Sequence, residues 1–334
     1  MKLPFFSYEP VNSIGVLEKT KIFIEESNLI DQINLVGEAF TCLPDLIPQD
    51  EKAIFSEGSL PLVESWHELQ VSFNLCVFGF YKQAMTSLRS ALELGVLSIY
   101  WNINDDGHKM MKNWVRSKEK TPRSEPIWKI ILSDPTFINF NSQFKLKENY
   151  DKFTYLSNYV HSKGLGFSNA FGNNRSNSQT FEKDLFNFWK ESFFEVIKFI
   201  IRLHLIKYPL SVIRFNWSDK FGIENPRIGI IDPSEQRAIF ELIEKEFIDA
   251  VSELADHDIK TQNTFQSIKL LPNINRNEIE NQIIEKDKIL IEINGFNKWK
   301  SSRENALESS TFEEKQLAER RETYLSSWAK KDTN

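Results

Sequence analysis

Arg89 and Glu93 are opposite charges inside a segment that is otherwise strongly apolar. They stand four residues apart, and this spacing lets two side chains pair on one face of a helix. Leu88 and Leu92, their neighbours in the sequence, would then face the core. The pair could bind a ligand phosphate or position a catalytic group. Equally, it could be a buried polar contact that holds a neighbouring helix, since charges in a core need partners.

His161 stands where a helical pattern ends, between Tyr159 and Lys163 and just before Gly164. A helix C-terminus favours a protonated imidazole, so His161 could act as a general acid. The competing interpretation is a partly exposed histidine that only caps the last carbonyl groups of its helix. Residues 165–179, rich in Gly, Asn and Ser, follow as a loop, and loops of this length are often functional.

One run of basic residues stands out in an acidic chain. The protein has 334 residues and a net charge of −6, yet residues 109–152 carry ten Lys and Arg against five Asp and Glu, a local charge of +5. Cations gathered on one surface neutralise phosphates, which supply much of the affinity for nucleic acids. The residues predicted to contact RNA are Lys109, Lys112, Arg116, Lys118, Lys120 and Arg123. A solvated helix face is the alternative interpretation.

Metal, nucleotide and hydrolase sites have no matching motif in this chain. The five histidines form no His-x-x-x-His pair, and neither a glycine-rich phosphate loop nor a serine nucleophile elbow occurs. Cys42 and Cys76 have no second Cys or His at ligand spacing. The sequence therefore predicts no metal and no cofactor. The two cysteines and the lack of a signal segment or long apolar run predict a cytoplasmic protein without a membrane partner.

Helices must position these residues. Apolar residues recur every three or four positions over residues 62–101, which predicts one central helix, or two joined at Gly79. A strongly aromatic helix over residues 181–208 ends at Pro209. A helical pattern after Pro135 is interrupted near residues 139–142. Further helices are predicted over residues 11–27, 28–46, 109–118, 144–161, 232–255, 274–286 and 311–330.

These patterns predict an all-α fold. The predicted regions are N-terminal helices over residues 1–58, a helical bundle over residues 59–209, and a mainly helical accessory region over residues 210–334. Residues 288–293 alternate in polarity like a short strand, and residues 214–217 and 227–231 would be strands or extended connectors. The accessory region could therefore include a short β element.

Three segments make the chain similar to the HEPN-like helical proteins of bacteria. They are residues 88–93 in an apolar helix, residues 100–101 near its end, and residues 159–161 at the close of a later helix. The resemblance covers residues 60–208. It implies a compact helical bundle, usually a homodimer, of the kind found in toxins, antiphage defence systems and metal-independent ribonucleases.

Catalytic members of this family carry an Arg a few residues before a His, and the two cleave RNA through attack of the 2′-hydroxyl. His161 matches that His, but residues 154–156 stand where the Arg is expected and include none. The resemblance therefore implies that Arg89 or Lys152 would supply the charge from elsewhere. The supporting residues would be Glu93, Tyr159, Lys152 and Lys163.

Three functions stay open on this evidence. One is a bacterial defence or toxin protein that binds RNA, or cleaves it without a metal at a His161-centred site. A second is a non-catalytic scaffold of the same type that binds a partner protein. In that scaffold, Arg89→Ala would lower stability sharply by leaving a buried Glu93 unpaired. The third is a ligand sensor whose pocket opens near residues 165–179.

Overall fold

The structure is a computed structural model that describes residues 10–47, 59–104, 109–168, 180–224, 226, 228–306 and 311–331. Within these ranges every regular element is a helix and no strand occurs. The predicted all-α class is therefore confirmed. The chain divides into two compact units, the first comprising Met1–Phe215 and Arg227–Phe265 and the second comprising Asn216–Pro226 and Gln266–Asn334.

The helices range from single turns to 25 residues. In chain order they are α1 (Pro10–Glu26), α2 (Leu29–Thr41), α3 (Leu43–Leu46), α4 (Leu60–Val77), α5 (Tyr81–Asn104), α6 (Lys109–Val115), α7 (Ser124–Ile131), α8 (Pro135–Phe144), α9 (Leu146–Lys152), α10 (Tyr155–Val160), α11 (Lys183–Lys207), α12 (Ser218–Phe221), α13 (Pro233–Leu242), α14 (Lys245–His257), α15 (Ile259–Lys269), α16 (Arg276–Asn294), α17 (Phe296–Ala306) and α18 (Phe312–Lys331). Within the described residues, 3₁₀ turns cover Leu165–Phe167 and Pro209–Val212. Helix α15 crosses from the first unit into the second, whereas α12 and α16 to α18 belong to the second unit.

Helix α5 forms the centre of the first unit and packs against α4, α7, α10 and α11. Leu88 and Leu92 on its apolar face are fully buried, as the periodicity predicts. Gly95 lets α11 approach closely, because a Cβ atom at this position would lie 2.7 Å from the side chain of Ile200. The two longest described helices therefore pack tightly at Gly95.

Buried polar groups in this core bind one another. Ser65 and Ser72 of α4 donate hydrogen bonds to the carbonyl oxygens of Ala91 and Ala84 on α5, each at 2.7 Å. The indole Nε1 of Trp189 on α11 donates to Ser72 Oγ at 2.9 Å. Because such bonds are strong where water is excluded, they fix α4, α5 and α11 against one another.

Helices α4 and α5 meet at Gly79, as predicted. Gly79 has a φ of 81°, a left-handed conformation that glycine adopts without steric cost. Its N–H donates to the carbonyl oxygen of Cys76 at 2.9 Å, and the N–H of Phe80 donates to that of Leu75 at 2.8 Å. The apolar pattern over residues 62–101 is therefore two helices.

The continuous helix predicted over residues 144–161 is wrong, because the chain forms the separate helices α8, α9 and α10. Lys145 has a φ of 54° and separates α8 from α9. Residues 153–154 form a turn that separates α9 from α10. The interruption predicted near residues 139–142 lies inside α8 instead. These short helices place separate segments of the chain along α5.

The predicted helix over residues 232–255 is also divided, into α13 and α14. Helix α13 packs against α2, and α14 packs against α11 and the Pro209–Val212 turn. Phe247 of α14 contacts the rings of Phe140 and Phe144, with centroids 5.7 and 4.8 Å away. Residues beyond the predicted boundary at 209 thus contribute to the core of the first unit.

The short strand predicted over residues 288–293 is wrong, because these residues lie within α16. A capping box starts this helix: Asn275 Oδ1 accepts from the N–H of Glu278 at 3.0 Å, and Glu278 Oε2 accepts from the N–H of Asn275 at 2.8 Å. Residues 214–217 form a connector without strand pairing. Residue 227, where the other possible strand begins, lies outside the described residues.

The second unit has a small core of its own. One cluster of buried apolar residues in this unit comprises Ile291, Trp299 and Leu325. Asp287 accepts a hydrogen bond from Trp299 Nε1 at 2.9 Å and lies 3.8 Å from the Nη1 atom of Arg321. An apolar centre and a buried ionic contact therefore join α16, α17 and α18.

Both cysteines are free thiols buried in the first unit. Cys42 lies between α2 and α3, and its Sγ donates to the carbonyl oxygen of Ala39 at 3.2 Å. Cys76 lies near the end of α4. Burial raises the pKa of both thiols, so they are protonated at neutral pH.

Candidate functional site

Arg89 is a buried cation in the middle of α5, with 9% of its surface exposed. Its guanidinium lies over the ring of Tyr150 on α9, with Cζ 5.7 Å from the ring centroid. Nη2 contacts Glu93 Oε1 at 2.6 Å and the Tyr150 hydroxyl at 3.4 Å. Nη1 is buried without a hydrogen-bond partner among the described residues. Packing and one ion pair therefore hold Arg89, and one nitrogen stays unused.

Glu93 forms the predicted ion pair with Arg89 but is not buried. Its side chain is 54% exposed, compared with 10% for that of Arg89. The hypothesis of a buried pair, in which Arg89→Ala leaves a buried Glu93 unpaired, is therefore wrong. The carboxylate lies at the border between the buried and the exposed face of α5, so water would hydrate it after the loss of Arg89.

His161 lies at the exposed end of α10. Its backbone N–H donates to the carbonyl oxygen of Ser157 at 3.1 Å, so the residue closes the last turn of the helix. Ser162 and Gly164 then have φ angles of 47° and 82°, which turn the chain away from the helix axis. The helix therefore stops where Gly164 predicts it to stop, and the imidazole faces solvent.

Lys82 is a cation near His161 that the sequence did not reveal. Its Nζ donates to the Oγ of Ser162 at 2.5 Å, next to His161 in the chain. Lys82 belongs to the first turn of α5, and 80 residues separate it from Ser162. No local pattern reports a contact over such a separation, because it depends on how α10 packs against α5.

Arg89 and His161 lie at different places along α5. The turn after α10 reaches Lys82, whereas Arg89, seven residues further along α5, contacts Tyr150. Seven residues of α-helix span about 10 Å. No hydrogen bond or ion pair between described residues joins Arg89 or Glu93 to His161. The structure thus brings Arg89 together with Glu93, but neither of them with His161.

The remaining predicted site residues lie apart from one another. Tyr159 is buried against Phe167, with ring centroids 5.0 Å apart, and burial raises the pKa of its hydroxyl. Lys152 is exposed and donates to Asn149 Oδ1 at 2.8 Å on its own helix. Lys163 is exposed in the turn after His161. Among the predicted supporting residues, Tyr159 and Lys163 are therefore near His161 because each lies two residues from it in the sequence.

The predicted RNA-contacting residues surround α6 and the turn that follows it. Five are exposed and Lys112 is half-buried. None of the six forms an ion pair with another described residue. Trp114 Nε1 donates to Thr121 Oγ1 at 2.9 Å, which holds the turn against α6. Met111, fully buried, anchors this helix to the core. The result is a basic segment, residues 109–129, whose helix α6 is anchored in the core.

The loop proposed to open a ligand pocket lies mostly outside the described residues. Leu165–Phe167 forms a 3₁₀ turn, and Phe167 packs on Tyr159, but residues 169–179 lie outside the described residues.

Comparison with known proteins gives no relative: no family model, curated protein or solved structure matches this chain. None of the helices within the described ranges is long and apolar enough to cross a membrane. Among the described side chains, no three His, Cys, Asp or Glu residues are grouped so that they could hold a metal ion.

Proposed function

We propose that the protein binds RNA through the basic segment, residues 109–129, as a HEPN-like helical protein. One observation carries this proposal: the cations of the segment are exposed or half-buried and have no ion-pair partner among the described residues. Several surface lysines elsewhere do pair, as Lys147 does with Asp151 at 2.5 Å. Unpaired surface cations are available to phosphates, whose binding releases counterions. The family resemblance supplies RNA as the nucleic acid.

Charge removal within the segment tests the proposal. We compare the triple variant Arg116→Gln, Lys118→Gln and Lys120→Gln with wild type, using fluorescence anisotropy of a labelled single-stranded RNA over a salt series. The three lost cations should weaken binding at low salt and reduce the slope of log affinity against log salt by about 2.

The matched control removes three exposed lysines elsewhere on the first unit. Lys19→Gln, Lys21→Gln and Lys245→Gln change the net charge by the same amount. The control should bind RNA with the wild-type salt slope. An equal loss of affinity in both triple variants would show that net charge, rather than the basic segment, governs binding.

A second candidate function is metal-independent RNA cleavage at His161. The observation in its favour is the exposed imidazole at the end of α10, with Lys82 bound to the next residue. In this reaction His161 would transfer a proton as general acid or base. Lys82 would stabilise the charge that develops on the phosphate, the role first assigned to Arg89 or Lys152.

The cleavage assay uses transfer RNA and total RNA in the presence of EDTA. His161→Ala and Lys82→Met should each abolish or strongly reduce the rate, whereas His67→Ala, at another exposed histidine, should not. Arg89→Met should retain the rate, because Arg89 lies against Tyr150. If the wild type binds RNA but shows no cleavage that His161→Ala removes, the protein is a non-catalytic RNA-binding member of this type.

The same resemblance extends the proposal to the biological setting. We infer a bacterial defence or toxin system in which the chain acts as a homodimer or binds a protein of the same system. The mass in solution, measured by light scattering with and without RNA, tests the dimer. A monomer under both conditions would contradict it.

A further inference from the structure

The first unit contains a cavity of about 450 Å³ that none of the site residues discussed above lines. It lies where α11 ends, where α8 and α15 begin, and beside the Pro209–Val212 turn. Small-molecule sites have volumes of a few hundred cubic ångströms and combine apolar walls with a few polar groups. Phe137, Leu210 and Leu254 supply apolar wall here, and Lys207 and Lys260 supply charge.

Lys207 is the unusual group in this cavity. It is half-buried, and its ammonium makes no hydrogen bond or ion pair with a described residue. The charged groups that act on it are Asp134, before α8, and Asp258 and Lys260, at the start of α15. Burial outweighs the two carboxylates and lowers the pKa of Lys207. A cation in this position lacks a close counter-ion.

The two carboxylates of the cavity are already bound. Asp134 Oδ1 accepts from the N–H groups of Thr136 and Phe137 at 2.9 and 3.2 Å, which caps α8. Asp258 Oδ2 accepts from the N–H of Thr261 at 2.7 Å, which caps α15. Both side chains are therefore held at their own helix starts, and neither lies within ion-pair distance of Lys207.

A second polar group in the cavity lining also lacks a partner. Tyr208 follows Lys207, and 91% of its surface is buried, yet its hydroxyl makes no hydrogen bond with a described residue. The hydroxyl oxygen is itself fully buried, so a ligand in the cavity does not reach it, and Lys207 is the group that indicates an anion.

We propose that this cavity binds a small organic carboxylate, whose oxygens pair with Lys207 and Lys260 and whose apolar body packs against Phe137, Leu210 and Leu254. A carboxylate fits better than a phosphate for two reasons. Asp134 and Asp258 repel a dianion more strongly than a monoanion. The backbone donors at the start of α8 are occupied, so they cannot supply the extra hydrogen bonds that a phosphate needs.

Fluorine NMR with para-trifluoromethylbenzoate tests the site on the full chain. We expect line broadening with a Kd of about 1 mM, the affinity of a small ligand with few heavy atoms. The uncharged para-trifluoromethylbenzamide should bind about tenfold more weakly, because it has no charge to pair with Lys207. The phosphate analogue, para-trifluoromethylphenyl phosphate, should also bind more weakly than the benzoate.

Variants assign the binding to Lys207. Lys207→Met should weaken benzoate binding about tenfold, and Lys207→Arg, which keeps the charge, should restore it. The matched control is Lys198→Met on the same helix, where a lysine pairs with Glu195 at 3.4 Å and lies outside the cavity. This variant should bind benzoate like the wild type.

Four results would overturn the proposal. They are no broadening of the benzoate signal at about 10 mM, equal affinity for benzoate and benzamide, tighter binding of the phosphate analogue, and unchanged benzoate affinity in Lys207→Met. Because Lys207→Arg and the amide comparison do not depend on the stability of Lys207→Met, a folding defect in that variant leaves the test decisive.

Discussion

Arg89 is a buried cation, and its ion-pair partner Glu93 lies in solvent. Removing Glu93 leaves this buried cation without its counter-ion, so Glu93→Gln should lower the free energy of unfolding by about 1–3 kcal/mol. Arg89→Met removes the guanidinium that lies over Tyr150, and with it a buried charge and one unsatisfied nitrogen. Because buried charges are often replaced by apolar residues without loss, we expect Arg89→Met to be neutral or stabilising.

Urea unfolding of both variants checks this prediction. A loss above about 2 kcal/mol in Arg89→Met would mean that the ion pair stabilises the fold strongly despite the exposure of Glu93. Helical spacing was enough to predict the contact between the two side chains. It could not predict their unequal burial, which depends on Tyr150, 61 residues away from Arg89.

His204 gives the fold a defined dependence on pH. It is fully buried on α11, with Nδ1 2.8 Å from the carbonyl oxygen of Ile200 and Nε2 3.3 Å from Ser98 Oγ. Burial lowers the pKa of His204 from 6.5 to about 4. The unfolded chain therefore binds a proton at His204 more readily than the folded chain does. The stability that neutral His204 contributes to the fold is complete above pH 6.5 and is lost as the pH falls towards 4.

The expected loss from His204 is on the order of 3 kcal/mol between these two pH values. His204→Gln lacks the titrating group, so its stability should fall less steeply over this range. Urea unfolding of both proteins at several pH values gives the difference. Parallel pH profiles for the two proteins would contradict a lowered pKa of His204 in the folded state.

The contact between α5 and α11 depends on the absence of a side chain at Gly95. Gly95→Ala would place a methyl group 2.7 Å from Ile200, which is fully buried and cannot move away freely. We expect a loss of about 1–3 kcal/mol in the free energy of unfolding. Thermal or urea unfolding measures it.

Gly15 in α1 provides the matched control for Gly95. A Cβ atom there meets no other atom within 4 Å. Gly15→Ala should therefore stabilise the protein by about 0.5–1 kcal/mol through helix propensity alone. The change from Gly to Ala should therefore lower the free energy of unfolding at Gly95 and raise it at Gly15. A change of the same sign at both positions would contradict the close packing at Gly95.

At the level of elements, the sequence predicted the long helices well and the short ones poorly. Over α5 and α11 the apolar period repeats through many turns, so it determines both the helix and its buried face. Lys145 ends α8 with a positive φ, although lysine has no special preference for this conformation. The alternation over residues 288–293 predicted a strand, but these residues continue a 19-residue helix that a capping box begins.

For the whole molecule, the two compact units have separate apolar cores of very different size. The second contains few buried apolar residues, and Leu325 is fully buried among them. Leu325→Ala should remove about 2–5 kcal/mol from the stability of that unit. We expect hydrogen exchange to accelerate in α16 to α18 and to stay at the wild-type rate in α5 and α11.

Mass spectrometry of exchanged peptides separates the two units in this experiment. The comparison variant Gly95→Ala should show the reverse distribution, with faster exchange in α5 and α11. If either variant accelerates exchange throughout the chain, the units unfold together. The sequence pattern placed a boundary at residue 209, but α13 and α14 lie beyond it and belong to the first unit. Local periodicity does not show which core a helix completes, so the sequence could not predict this division into two units.

Cys42 and Cys76 give this protein built-in chemical reporters. Both thiols are inaccessible and protonated in the folded first unit, and they are the only cysteines of the chain. An alkylating reagent can therefore modify them only while the surrounding helices are transiently open. The labelling rate of Cys76 would time the opening of α4, and that of Cys42 the opening of the α2–α3 junction. No mutation or attached dye is needed, so local opening can be measured on the unmodified protein.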